Sequence, residues 1–243
     1  MNLNIKSVWG ALLRMFPAGR RRLQSNFVKQ LVAKAKEREG IYIAIEGGDG
    51  AGKGTVIERI KKLFAPFPDD IVFVSEPKST EVGAKIYEII KTHKLESRAE
   101  LYLFSAARCL IYEGLIKPML EVGGMVFSDR SYASSVAYQH FAGGLSLSEV
   151  MSAVRLSLSG RLPDFVIYLD ISPETGLARA RARNDGGSSY EKLGLDYHEK
   201  VRQGYLAQAR YDGRRFIVIP VDDKTPDEVF DAVLEALAER LLS

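Results

Sequence analysis

The spacing of apolar positions changes along the chain in a way that predicts its elements. Ile41–Glu46 is a nearly unbroken apolar run, which reads as a strand buried on both faces. It passes into a glycine-rich turn and then into helical spacing over Lys53–Phe64. Short apolar runs recur at Ile71–Val74, Gly124–Ser128, Phe165–Leu169 and Arg215–Val221. Between them the period is helical, with stripes at Val82, Ile86, Ile89 and Ile90 and at Leu101, Phe104, Leu110 and Leu115. Pro226–Leu242 predicts a closing helix, and Ser172-Pro173-Glu174 supplies a cap, a first-turn proline and an N-terminal carboxylate for the helix after the fourth strand. Strands apolar throughout, joined by helices that fit right-handed crossovers, predict an α/β fold, a three-layer sandwich around a five-stranded parallel sheet. No internal repeat is present.

Before Ile41 two amphipathic patterns, Val8 to Phe16 and Leu23 to Val32, are separated by Pro17-Ala18-Gly19. Residues 1–40 carry nine Lys/Arg against Glu37 and Glu39, a local charge of +7, so the rest of a chain that totals +3 is net negative. A nucleic-acid-binding surface is therefore not implied for the body of the protein. The organisation expected is a basic helical extension over 1–40 and one domain over 41–243. The extension has three readings: helices packed on the domain or on a partner protein, a membrane-surface helix, or a cleaved organellar transit peptide.

With 243 residues, 46% of them apolar and 27% charged, the chain is neither disordered nor low in complexity. Its single cysteine, Cys109, excludes an internal disulfide framework and fits a reducing, cytoplasmic setting. With three His and one Cys, structural zinc is not expected. No apolar run approaches the ~20 residues of a membrane-spanning helix.

The turn after the first strand reads Gly47-Gly48-Asp49-Gly50-Ala51-Gly52-Lys53-Gly54-Thr55. Strand, glycine-rich loop and helix in that order form a phosphate cradle: backbone N–H groups curl around phosphate oxygens, the helix N-terminus adds positive potential, and Lys53 adds a full charge. Gly54 stands where the strict pattern has a hydroxyl, which moves to Thr55, as in adenylate-kinase-type loops. The loop implies a nucleoside triphosphate; the acceptor must be read elsewhere.

After the third strand comes Asp129-Arg130-Ser131-Tyr132, at a strand end where ligands of open α/β sheets bind. In the next helix Ser135, Tyr138 and Gln139 share a face. Phe104 and Arg108, four apart, set an aromatic ring beside a guanidinium, a pair suited to a base. Taken singly, Phe104 reads as core and Arg108 as a solvated charge. Together with IEGGDGAGK (45–53), LYLFSAARCLIYEGLIKPML (101–120), DRSYASSVAYQ (129–139) and YLDISPETGLARARAR (168–183), these segments resemble the thymidylate kinase family of P-loop nucleoside-monophosphate kinases, from Ile41 to the C-terminus.

The resemblance implies transfer of phosphate from ATP, with Mg²⁺, to dTMP. Phe104 would stack on thymine and Arg108 would donate to its O4 edge, with Ser135 near N3, Tyr138 crowding the sugar 2′ position, and Glu76 and Gln139 in the same pocket. Asp49 would lie near the acceptor's 3′-hydroxyl and phosphate, Arg130 would hold that phosphate, and Asp129 with Thr55 would organise Mg²⁺. Arg179 would approach the adenine. Because Gly50 stands where some relatives carry a catalytic arginine, that role would pass to Arg181 or Arg183, beside a short lid at about 182–191 in which Ser188-Ser189 replace the family's Asp-Arg pair. The simpler reading of both is a solvated charge at a helix end. Ser75 replaces the arginine before Glu76-Pro77, and Lys78 offers a substitute charge. The family also implies a homodimer, for which 101–120 and 146–158 are candidate stripes. The alternatives are a kinase for another pyrimidine monophosphate such as dUMP, and a non-catalytic nucleotide-binding adaptor using the basic extension.

Overall fold

The computed structural model describes residues 17–183, 190 and 193–242. Five strands, β1 (Ile41–Gly47), β2 (Ile71–Ser75), β3 (Met125–Asp129), β4 (Phe165–Asp170) and β5 (Phe216–Pro220), form one sheet in the order β2-β3-β1-β4-β5. All pairs are parallel, with Ile45 opposite Asp129 and Glu46 opposite Tyr168. Each strand differs from its predicted run by one residue at one or both ends: β1, β2 and β4 run one residue further, β3 is shifted by one, and β5 is one residue shorter at each end.

The helices are α1 (Pro17–Glu37), α2 (Lys53–Phe64), α3 (Glu81–Thr92), α4 (Ser97–Ile111), α5 (Tyr132–Ser135), α6 (Leu147–Ser157), α7 (Pro173–Ala182), α8 (Leu195–Tyr211) and α9 (Pro226–Leu241). α4 runs on through a π-helical turn, Tyr112–Ile116, into Lys117–Glu121, and α5 continues as a π-helix over Val136–Ala142. One face of the sheet packs Ile41, Ile43, Ile45 and Phe127 under α1, α2 and α9. The other packs Tyr42, Ala44, Val126 and Tyr168 under α4, α5, α6 and α8. The continuous apolar run of β1 is thus shared alternately between two cores.

α1 begins at Pro17, a residue suited to a first turn because its missing N–H has no partner there anyway. The more N-terminal pattern, Val8 to Phe16, lies outside the described residues. Phe27, Val28, Leu31, Val32 and Ala35 are buried in the same cluster as Ile60, Phe64 and Leu237, so the apolar face of this helix is used inside the fold. Its end seats against the turn before β3, where a Cβ on Gly123 (φ 73°) would lie 3.2 Å from Lys36 Cα. Leu31 is fully buried. Leu31→Ala is expected to cost about 2–5 kcal/mol of unfolding free energy in urea titration. An unchanged midpoint would show that the helix does not contribute to the core.

Ser172 takes the N-cap position of α7 and Pro173 the first turn, as predicted, but the Ser172 side chain does not bond the helix N–H groups. The Ser172 N–H and hydroxyl both donate to the Asp222 carboxylate, because the segment after β5 brings an anion within reach of the helix entrance.

Candidate active site

Parallel register delivers three loops to one edge of the sheet. β1 ends in the glycine-rich loop, and β3 beside it ends in Asp129-Arg130. β2 leads into Glu76, whose N–H donates to Asp129 O at 3.0 Å. Arg130 N–H donates to Ile45 O at 3.0 Å. Between them lies a cleft of about 780 Å³.

In the loop, Gly47 and Gly48 lie behind the cleft lining, and their carbonyls each accept from Lys53 Nζ at 3.0 Å. Asp49, Gly50, Ala51, Gly52, Lys53, Gly54 and Thr55 line the cleft itself. Desolvation, followed by neighbouring Arg130, pushes the Lys53 ammonium down to about 8. Gly50 (φ 75°) presses on α7 so closely that a Cβ would stand 2.1 Å from Gly176 O. An arginine there would require α7 to move, which is why a loop arginine does not fit this chain.

Arg130 adopts φ 71°, a left-handed conformation uncommon outside glycine. Its guanidinium reaches Ser134 Oγ at 3.3 Å and Asp49 Oδ1 at 3.4 Å, and sits 5.4 Å from the Tyr138 ring centroid. Asp49 Oδ2 and Asp129 Oδ1 are buried with no hydrogen-bond partner. Those two orphaned acceptors suit a hard cation, and Thr55 is an exposed hydroxyl on the same wall. Among the described residues no cluster of three carboxylate, imidazole or thiolate groups forms, so a Mg²⁺ here would share its shell with phosphate oxygens and water.

At the other end Arg108, 2% exposed, donates from Nε to Glu76 Oε2 and from Nη2 to Ser135 Oγ, each at 2.9 Å. Arg108 is therefore no solvated charge. Its Nη1 and Glu76 Oε1 remain buried without partners, and both residues line the cleft. Burial pushes the Glu76 carboxyl up to about 7, against the pull of Arg108. Half-buried Phe104 stands on the same wall rather than in the core, and Ser135, Tyr138 and Gln139 all line the cleft, the last two from the π-helical segment rather than from a continuous α-helical face. Gln139 Nε2 donates to Glu100 at 3.3 Å.

At the third corner Arg179 donates to the carbonyls of Val221 and Asp222, beside Lys224 and Pro226. Arg183 reaches the cleft; Arg181 is exposed and does not line it. Ser188-Ser189 and most of the expected lid lie outside the described residues. Sequence reasoning passed over Tyr190, which lines the cleft and packs edge-on to Tyr138 at 5.4 Å. It also passed over Tyr87, whose ring lies 4.6 Å from the Lys78 ammonium. Only folding brings those rings to the cleft.

Comparison with known proteins places the chain in a family. The family model described as thymidylate kinase matches residues 45–233. The chain belongs to the thymidylate kinase family. A thymidylate kinase from Chlorobium limicola is 34% identical over 210 residues, 82% of this chain and 95% of that one. One from Hahella chejuensis is 33% identical over 207 residues, 84% and 99% of the two chains. The crystal structure of thymidylate kinase from Ehrlichia chaffeensis superposes with a TM-score of 0.66 at 24% identity, over 81% of this chain and 97% of that one, which shows the shared fold. Five parallel strands with helices on both faces are the P-loop nucleoside-monophosphate kinase fold.

Proposed function

We propose that this protein transfers the terminal phosphoryl group of ATP to dTMP, giving dTDP and ADP. The observation that carries the acceptor assignment is Arg108: a buried guanidinium fixed by Glu76 and Ser135, with one donor group unspent on the cleft wall beside Phe104. A pyrimidine ring stacked on Phe104 would meet that donor with its carbonyl edge, and Tyr138 beside it leaves little room at the sugar.

Phosphoryl transfer asks for positioning and charge rather than covalent help. Lys53 and the loop N–H groups hold the donor's phosphates, and the Arg130 guanidinium faces them from the end of β3 and holds the acceptor's phosphate. That acceptor is already ionised at neutral pH, so no side-chain base is needed. Asp49 and Asp129 would hold Mg²⁺, which supplies charge neutralisation on the phosphate oxygens when bound. Arg183, at the lid's edge, is better placed than Arg181 to add a cation. Lys224 and Pro226 beside Arg179 suit the adenine end.

A homodimer is part of the same reading. Tyr102 and Leu110 on α4, with Leu147 and Leu156 on α6, expose large apolar side chains on neighbouring helices, as a self-complementary interface would require. In an ADP-release assay with ATP and Mg²⁺, dTMP is expected to outpace dUMP, dCMP, UMP and AMP. A faster rate with a ribonucleotide would overturn the acceptor assignment; no turnover by ATP-binding protein would overturn the enzyme.

A further inference from the structure

Glu46 is the last side chain before the glycine-rich loop, and it is fully buried in a strand otherwise apolar. A carboxyl group in such a place must be satisfied by hydrogen-bond partners. Five converge on it. Oε1 accepts from Ser131 N–H at 2.7 Å, Ser131 Oγ at 2.8 Å and Ser134 N–H at 3.3 Å. Oε2 accepts from Ser134 Oγ at 2.7 Å and Tyr205 OH at 2.9 Å. Ser131 and Ser134 open the acceptor-side helix α5, while Tyr205 belongs to α8, the helix that follows the lid. One side chain therefore joins the phosphate-loop strand to both.

Arg130 is embedded in this arrangement. Its left-handed backbone is held by Ile45 O on one side and by the Ser128 hydroxyl, which donates to Arg130 O, on the other. Its Nη1 donates to Ser134 Oγ at 3.3 Å. That hydroxyl gives its own proton to Glu46, which leaves its lone pairs facing the guanidinium and the Tyr205 hydroxyl 2.9 Å away. Glu46 itself is not on the cleft wall and cannot touch a ligand there.

We infer that Glu46 is a positioning residue for phosphoryl transfer: through Ser134 it aims the Arg130 guanidinium at the acceptor phosphate. The assignment rests on the function proposed above, and its test separates the two. Glu46→Gln and Ser134→Ala are expected to share one kinetic signature: kcat down about tenfold and acceptor KM up about tenfold, with ATP KM within about twofold. Because Ser134 borders the cleft and Glu46 does not, the match between the two variants is the decisive feature. Should Glu46→Gln not fold, Ser134→Ala is combined with Arg130→Lys, whose losses are expected to be non-additive. A lowered thermal midpoint with wild-type kcat and KM values, equal rises in both KM values, or additive losses would overturn the inference. If wild-type protein phosphorylates no monophosphate, the proposed function fails on its own, and ¹⁵N NMR of the Arg130 guanidinium still decides the positioning role. Rotation about its Cζ–Nε bond is expected to be slower in wild type than in Ser134→Ala; equal rates would overturn it.

Discussion

Lys53→Ala is expected to lower kcat by about 10³-fold or more while dTMP affinity stays within about twofold. Lys53 Nζ is held by the Gly47 and Gly48 carbonyls at the mouth of the loop, so its charge is already in place before a nucleotide arrives. The acceptor pocket, at Arg108 and Glu76, does not use it. The same group predicts a pH dependence. Desolvation and Arg130 hold its ammonium down at about 8, whereas phosphate oxygens beside it favour the charged form and raise it. Nucleotide affinity is therefore full below pH 8 and falls as pH rises above it, and binding takes up a proton in that range. Calorimetry of ATP binding in buffers of different ionisation enthalpy reads that proton directly. In Lys53→Ala the uptake disappears. Normal turnover in that variant would refute the loop assignment.

What was legible in the sequence was local. α2 occupies Lys53–Phe64 as the helical period indicated, and the loop before it needs only glycines, a lysine and the two elements that flank it. The two-sided burial of β1 was written in its continuous apolar run. What was not legible depends on long-range contact. Nothing in the chain ties Glu76 to Arg108 across 32 residues, or places Tyr190 on the Tyr138 ring; folding does that. The π-helical turns after Ile111 and Ser135 shift side-chain directions in ways a 3.6 period cannot carry. Glu46 was the signal that went unread. A carboxylate closing an apolar strand has to find several donors, and Ser131, Ser134 and Tyr205 supply them.

The second large effect is expected from Arg108→Ala, on binding and on stability together. Its guanidinium is the one cation within hydrogen-bond distance of Glu76 among the described residues. A polar site stripped of its donor loses the ligand group it was built to meet, and dTMP affinity should fall by about 10²-fold with ATP affinity kept. Leaving the other half of a buried ion pair without its partner costs about 3–5 kcal/mol, so the variant should also unfold at lower urea. The Glu76 carboxyl, at about 7 through burial even beside Arg108, then rises further and takes a proton near neutrality. The sign follows from the raised value. The folded state binds more protons than the unfolded chain from about pH 4.5 upward, so stability falls as pH rises through that window, and the window extends higher in the variant than in the wild type. Adding Glu76→Gln removes the stranded charge. The double variant is expected to recover most of the stability, lose the pH dependence, and still fail to bind dTMP. Recovery of dTMP binding would show that Arg108 acts only as the counter-ion of Glu76, and an equal loss of dTMP and ATP in the single variant would remove it from the base pocket.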